Sequence, residues 1–187
     1  MATNIGAVIG AMIDYNYGCP ELINHALNVY AFAKGIGERE AIGADKLEIL
    51  ETAAVLHDIG IRISEQKYQS FNGKYQQIEG PPIARGILEP LGFSPELIDR
   101  VCFLIAHHHE YDAIDDVDYQ ILVEADFLVN IFQERMDDDG IRAVRENIFR
   151  TKAGIEFLDN LFLREPPAPS LFAADLRRIE EAYWSKQ

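Results

Sequence analysis

Five histidines and a few carboxylates are the side chains in this sequence whose types and spacing could do chemistry. The histidines are His25, His57, His107, His108 and His109. Three of them are consecutive, and Asp58 follows His57 directly at the end of the apolar stretch AAVLHDIG. Neutral imidazole nitrogen and carboxylate oxygen suit divalent Zn, Fe, Mn, Co and Ni. The pattern therefore indicates a metal site, provided that the fold brings these side chains together.

Helical spacing directs three of these groups towards the interior. His25 and His57 each belong to a run of apolar residues spaced three and four apart, and Asp126 lies in a third such run. A buried carboxylate without a partner costs on the order of several kcal/mol. One divalent cation would satisfy all three groups. The lack of thiolate ligands favours an open coordination position over a closed structural zinc site.

Each residue taken singly also has a purely structural interpretation. A lone histidine on an apolar helix face is more often a hydrogen-bonded core residue than a metal ligand. Asp58 alone could be a helix-end residue. Only the combination of His25, His57-Asp58, Asp126 and the triple histidine favours a metal centre.

Helices must position these residues, because apolar residues recur at three and four along most of the chain and indicate an all-α fold. The predicted helices span roughly 6–14, 20–35, 45–58, 81–91, 95–109, 118–136, 140–148, 151–163 and 170–185. Pro20, Pro81 and Pro95 stand where helices should begin. Residues 62–80 remain as a long loop, which could close over a substrate.

The composition is that of a globular protein with one domain. The 187 residues are 48% hydrophobic and 10% aromatic, which excludes a disordered chain. We expect one helical domain over 1–163, and a proline-rich turn with a last helix over 164–187 packed on the same domain. Aromatic residues of that last helix, such as Trp184, leave a homodimer contact open.

The net charge and the cysteine content indicate which binding partners and which cellular compartment to expect. The 17 basic and 31 acidic residues give a net charge of −14, which disfavours nucleic-acid binding. Cys19 and Cys102 form no CxxC pair and favour a reducing compartment. The opening residues are typical of a first helix rather than a signal peptide, and no transmembrane stretch follows. We therefore expect a cytoplasmic protein without a membrane or nucleic-acid partner.

Four residues reproduce a known family pattern. His25, His57-Asp58 and Asp126 follow the order H…HD…D, and the surrounding motifs read AAVLHDIG, LIAHHHEYD and LVEADFLVN. Over roughly residues 20–135 the chain resembles the HD-domain metal-dependent phosphohydrolases. The resemblance implies an all-helical bundle with the metal site between helices.

The resemblance also implies a set of ligands. His25, His57, Asp58 and Asp126 would be the core ligands of a divalent metal (Mn, Fe, Zn, Co or Ni), and Asp58 would bridge two ions when two are present. In binuclear relatives a further histidine lies on the helix after the HD motif. Here Glu79 takes that place, in IEGPPIARGIL, and it would either replace the histidine as a carboxylate ligand or leave the second metal weakly held.

The remaining histidine ligand of such relatives falls at His107 or His108. We favour His108 and place His109 outside the ligands or at the surface. Asp58, Glu79 and His107 are the candidates for holding and orienting the attacking water.

The expected reaction is hydrolysis of a small phosphate ester, with a nucleotide as the expected substrate class. Arg62, Lys67, Lys74 and Arg85 could pair with phosphate oxygens. Each could equally be an ordinary solvated charge. Two other functions are compatible with the same residues, namely a di-iron oxygenase of the same fold and a catalytically silent sensor that binds a nucleotide or a metal.

Overall fold

The computed structural model describes residues 4–70 and 72–164, and helices connected by short turns make up this part of the chain. The helices are α1 Ile5–Tyr15, α2 Pro20–Arg39, α3 Ala44–Leu56, α4 Ile61–Tyr68, α5 Gly73–Leu88, α6 Pro95–His107, α7 Val117–Gln133, α8 Asp138–Asn147 and α9 Lys152–Leu158. A 3₁₀ turn covers Tyr111–Ala113, and a π turn at Asp159–Leu163 follows α9. No strand occurs within the described ranges, which confirms the predicted all-α fold.

Helix α3 is the central helix of the bundle. Every residue from Leu50 to Leu56 is buried. Helices α2 and α7 pack against it and against each other, and α6 packs on it from another side. Because α3 is enclosed along its whole second half, the two residues that follow it, His57 and Asp58, begin a turn inside the bundle.

Local capping chemistry explains where several helices begin. Pro20 and Pro95 occupy the first turn of α2 and α6, as predicted, where a missing N–H costs no helical hydrogen bond. The Ser94 side chain accepts a hydrogen bond from the backbone N–H of Leu97 at the start of α6. Gly92, just before it, has a φ of +80°, which a side chain would disfavour.

The prediction that residues 62–80 form a long loop is wrong. This segment forms nearly all of α4 and the first half of α5, and α5 begins at Gly73 with Asn72 as its cap rather than at Pro81. Pro81 lies inside α5 although a proline there removes a helical hydrogen bond. Packing of α5 on α4 and α6 stabilises the helix through this point.

Close backbone contact fixes where α5 lies. A Cβ atom on Gly80 would come within 2.6 Å of the Ile105 side chain, and one on Gly60 would come within 2.6 Å of the Gln76 carbonyl oxygen. Glycine at both positions therefore allows α5 to approach α6 and the turn after the HD motif. This approach brings the first half of α5 to the edge of the histidine cluster.

The proline-rich turn and last helix predicted for 164–187 lie, apart from Arg164, outside the described residues. The predicted division of the chain therefore stays a prediction. Among the helices that are described, none is both long enough and apolar enough to cross a membrane.

Candidate metal centre

Four side chains from three parts of the bundle meet at one point. They are His25 of α2, His57 and Asp58 after α3, and Asp126 of α7. His25 Nε2 lies 3.1 Å from His57 Nε2 and 3.1 Å from Asp126 Oδ1. Asp58 Oδ2 lies 3.5 Å from His25 Nε2 and 3.4 Å from His57 Nε2. The structure thus brings together the whole H…HD…D set, and its ligand atoms face each other.

Hydrogen bonds at the far side of each ring fix the orientation of these imidazoles. The Nδ1–H of His25 donates to Gln133 Oε1 at 3.0 Å, and that of His57 donates to the Ala54 carbonyl at 2.9 Å. His108 does the same towards the Ile105 carbonyl at 2.9 Å. Because these oxygens only accept, a proton resides on each Nδ1, and Nε2 is the nitrogen that faces the centre and could bind a cation. This is the usual arrangement of a metal-binding histidine.

The cluster has unsatisfied polar atoms of the kind that a cation would satisfy. Asp126 Oδ1 and His108 Nε2 are buried and have no hydrogen-bond partner among the residues that the structure describes. Buried polar atoms are normally paired, and a buried charge without a partner is costly. The donor set of imidazole nitrogen and carboxylate oxygen, without thiolate, fits a divalent transition metal with an open position.

The charges within the cluster perturb each other. Burial disfavours the charged form of His57, but the carboxylates of Asp58 and Asp126 raise its pKa well above the ordinary value. Burial likewise opposes ionisation of Asp126, yet the adjacent His25 and His57 imidazoles hold the pKa of that carboxyl well below its usual range. Without a cation, a proton on His57 must therefore take the cation's place between the carboxylates.

The two oxygens of Asp58 face two different sets of ligands. While Oδ2 faces His25 and His57, Oδ1 lies 3.6 Å from His108 Nε2. One group of potential ligands is His25, His57 and Asp58, and a second is Asp58, His108 and His109, with the ligand atoms of each group within 4.8 Å of one another. In this geometry the Asp58 carboxylate could contact a cation in each of the two groups.

His109 was expected outside the ligands or at the surface, yet it lies in the second of these groups. Its Nε2–H donates to Gln76 Oε1 at 3.2 Å. Burial, and then the neighbouring His108, lower the pKa of His109 to about 4, so the ring is neutral near pH 7. The sequence signal was the triple histidine itself, because the end of a helix can turn consecutive side chains towards one centre.

His107 lies apart from both groups. Its ring stacks on Phe103 with the centroids 4.3 Å apart, and its Nδ1–H donates to the Phe103 carbonyl at 2.7 Å. Of the two histidines left open by the sequence, His108 is therefore the one that faces Asp58.

Glu79 does not join the cluster. Its carboxylate accepts hydrogen bonds from Lys67 Nζ and the Tyr68 hydroxyl, both at 2.7 Å, and these bonds lower its pKa. It belongs to neither ligand group within the described ranges. On α5 it is Gln76 that makes a hydrogen bond with His109; Gln76 is buried and lies about one turn before Glu79. The prediction of a loop over residues 62–80 could not show that Glu79 is paired in this way, because Lys67 and Tyr68 reach Glu79 only when they lie on helix α4.

Two of the four cations predicted to bind phosphate are in ion pairs. Lys67 pairs with Glu79, and Arg85 Nη2 lies 2.5 Å from Asp99 Oδ1. The cation of each pair is exposed, and ion pairs with an exposed partner contribute little stability and rearrange easily.

The other two cations differ from each other. The Arg62 guanidinium donates to the Tyr15 carbonyl and lies over the Tyr17 ring, 4.6 Å from its centroid. Lys74, at the start of α5, is exposed, and its ammonium makes no ion pair within the part of the chain that is described. Lys74 is therefore the cation of this set that is most available to a ligand.

Comparison with known proteins agrees with the fold. A family model described as HD domain matches residues 22–150, which is more than half of the chain. The protein therefore belongs to the HD-domain family, a family of metal-dependent hydrolases. This confirms the resemblance read from the H…HD…D pattern.

A solved structure shares the fold. It is the crystal structure of a predicted HD superfamily hydrolase from an uncultured Thermotogales bacterium, with a TM-score of 0.60 and 20% sequence identity. The match covers 95% of this chain and 91% of that chain. Comparison with curated proteins found no match.

Proposed function

We propose that this protein is a divalent-metal-dependent phosphohydrolase that cleaves a small phosphate ester, with a nucleotide as the expected substrate class. The observation that supports this most directly is the convergence of His25 Nε2 and His57 Nε2 on the unpaired oxygen of Asp126. Three buried acceptor atoms that face each other need a metal ion or a proton between them. Mn, Fe, Zn, Co and Ni all suit these ligands.

The protein's own residues have separable tasks in this proposal. His25, His57 and Asp126 hold the first cation position, and Asp58 faces both that position and His108. A divalent cation bound there supplies Lewis acidity and lowers the pKa of water towards neutrality. The hydrogen bonds that the Nδ1–H groups donate fix the orientation of the imidazoles. Burial raises the pKa of Asp58, but His57 and His108 lower it well below its usual range, so Asp58 stays ionised.

Phosphate recognition also belongs to the proposal. In a chain with a net charge of −14, an anionic substrate needs local positive charge. Lys74 is exposed near the His109 side of the cluster, since Gly73 before it lies against the His109 ring. We assign it to the substrate phosphate, with Arg62, Lys67 and Arg85 as further candidates once their present partners are released. Both cysteines are free, in agreement with the proposed cytoplasmic location.

A second candidate function is a di-iron oxygenase. It is favoured by one observation, the placement of Asp58 between two histidine-containing ligand groups. Two redox-active irons bridged by a carboxylate could activate oxygen in such a site.

One experiment separates the two functions. The purified protein is analysed for bound metal and then tested for phosphate release from a nucleotide panel with Mn, Co, Ni or Mg under anaerobic conditions. Phosphate release with any of these ions supports the hydrolase and excludes a requirement for oxygen. Oxygen consumption by the iron-loaded protein without phosphate release would support the oxygenase, and failure to bind any transition metal would refute both.

The Asp58→Asn variant is the matched test of the site in this assay. It keeps the size of the side chain while removing the charge, and it should abolish phosphate release. Asp112→Asn serves as the control, because Asp112 is exposed and lies outside both ligand groups. It should keep full activity.

A further inference from the structure

An apolar groove runs between α2 and α7, beside the metal centre. It has a volume of about 420 Å³, and its apolar lining consists of Phe32, Leu128, Val129, Phe132, Leu161 and Phe162. Asn28 and Gln133 complete the lining at its edge. Gln133 is the residue that accepts the hydrogen bond from His25 Nδ1, so the groove adjoins the far side of a candidate metal ligand.

Two large side chains of this groove are strongly exposed. Phe132 is 75% exposed and Leu161 is 51% exposed. Both lie in the same groove, together with partly buried Phe32 and Phe162. Single exposed apolar residues are ordinary, but a contiguous apolar groove of this kind usually marks a surface that another segment covers.

The position of the groove along the chain indicates which segment this is. The described part of the chain ends at Arg164, directly after groove residues Leu161 and Phe162, and 23 residues follow. The first five of these, EPPAP, are a short spacer, because five residues span at most about 18 Å even when fully extended. Whatever follows the spacer is therefore held close to the groove, at an effective concentration on the order of millimolar.

The sequence after the spacer is suited to an apolar groove. Phe172, Leu176, Ile179 and Tyr183 are spaced four, three and four apart, which would place them on one face of a helix. The residues between them include charged side chains that would face solvent. An amphipathic helix that lays its apolar face into a groove is a common mode of recognition.

We propose that residues 171–184 dock into the α2–α7 groove of the same chain, with Phe132 and Leu161 as the main contacts. Docking would shield the hydrogen bond between Gln133 and His25 from water and would hold Gln133 in place. The metal centre would then be supported from behind by the same segment that closes the hydrophobic surface. The docking itself does not depend on the proposed activity.

Trp184 provides a direct test, because it is the single tryptophan of the chain. Its emission maximum and its quenching by acrylamide are measured on the full-length protein at low concentration, with the urea-unfolded protein as the reference for a fully exposed indole. A docked segment gives blue-shifted emission and at least about twofold less quenching than in the unfolded reference. Phe132→Glu should shift the emission towards that reference.

Matched variants distinguish docking from loss of the fold. Leu161→Glu should act in the same direction as Phe132→Glu, and far-UV circular dichroism reports whether each variant keeps its helices. Ile78→Glu is the control, because Ile78 is 55% exposed but lies on α5, outside the groove. It should leave the emission unchanged.

Three outcomes would overturn the proposal. The first is full quenching of Trp184 in the unmodified protein, and the second is a shielded Trp184 that neither groove variant affects. The third is shielding that appears only at concentrations where sedimentation shows a dimer, because a second copy would then occupy the groove.

Discussion

His25 Nε2 and His57 Nε2 lie 3.1 Å apart, and each ring has its Nδ1 proton committed to an oxygen on the opposite side. Two lone pairs at this distance repel unless a proton or a metal ion lies between them. This one relationship links the helical stripes of the sequence to the chemistry of the site.

Removing the charge of Asp58 should remove the metal. Asp58→Asn loses the carboxylate that faces both ligand groups, and we expect metal affinity to fall by at least about two orders of magnitude. Calorimetric titration of the metal-free protein with Mn or Zn measures the change. Asp112→Asn should bind as the unmodified protein does, and equal affinity of Asp58→Asn would contradict the assigned site.

Gln133 should affect the metal affinity of the site although it is not itself a metal ligand. Gln133→Ala removes the acceptor of the His25 Nδ1 proton, and we expect metal affinity to fall about 10- to 100-fold. Gln133→Glu keeps an acceptor and adds a charge that strengthens the bond to the imidazole, so its affinity should equal or exceed that of the unmodified protein. A drop of the same size in both variants would show that Gln133 acts through packing alone.

Metal binding should become tighter as the pH rises. Asp58 and Asp126 raise the pKa of His57 against the effect of burial, so His57 carries a proton near neutral pH when no cation is present. The cation must displace this proton, and affinity therefore increases until the pH passes the raised pKa. Titrations in buffers of different ionisation enthalpy should detect proton release on binding. Binding that is independent of pH between 6 and 9 would contradict this proton competition.

Gly154 should be one of the least tolerant glycines of the chain. A Cβ atom there would collide with the Glu124 carboxylate, which accepts hydrogen bonds from the backbone N–H groups of Arg150 and Thr151 at the start of α9. We expect Gly154→Ala to lower the free energy of unfolding by about 1–3 kcal/mol in urea denaturation.

Gly10→Ala is the control for that substitution. Gly10 lies within α1, and nothing lies within 4 Å of a Cβ placed there. Alanine is the better helix former, so stability should be unchanged or higher by up to about 1 kcal/mol. If both variants lost the same stability, the contact with Glu124 would not be the cause.

Much of the fold and the centre of the site could be predicted because helical periodicity reports which side chains face inward. His25, His57 and Asp126 each lie in an apolar stripe, and a polar residue in such a stripe must meet others in the core. Their meeting point follows from packing three helices side by side, so the order of the motifs was sufficient to anticipate it.

The sequence could not determine what surrounds this centre. Pro81 suggested a helix start, but packing against α6 carries α5 through it and extends the helix back to Gly73. That extension pairs Glu79 with Lys67 and presents Gln76 to His109 instead.

The amino-acid sequence by itself determined the helical class and the residues H…HD…D, because both depend on local spacing. Only the tertiary structure decided that Asp58 faces two ligand groups, that His108 and not His107 joins it, and that His109 lies in the second group. The orientation of side chains at the end of a helix depends on contacts with distant segments such as α5, and these contacts form only when the helices pack.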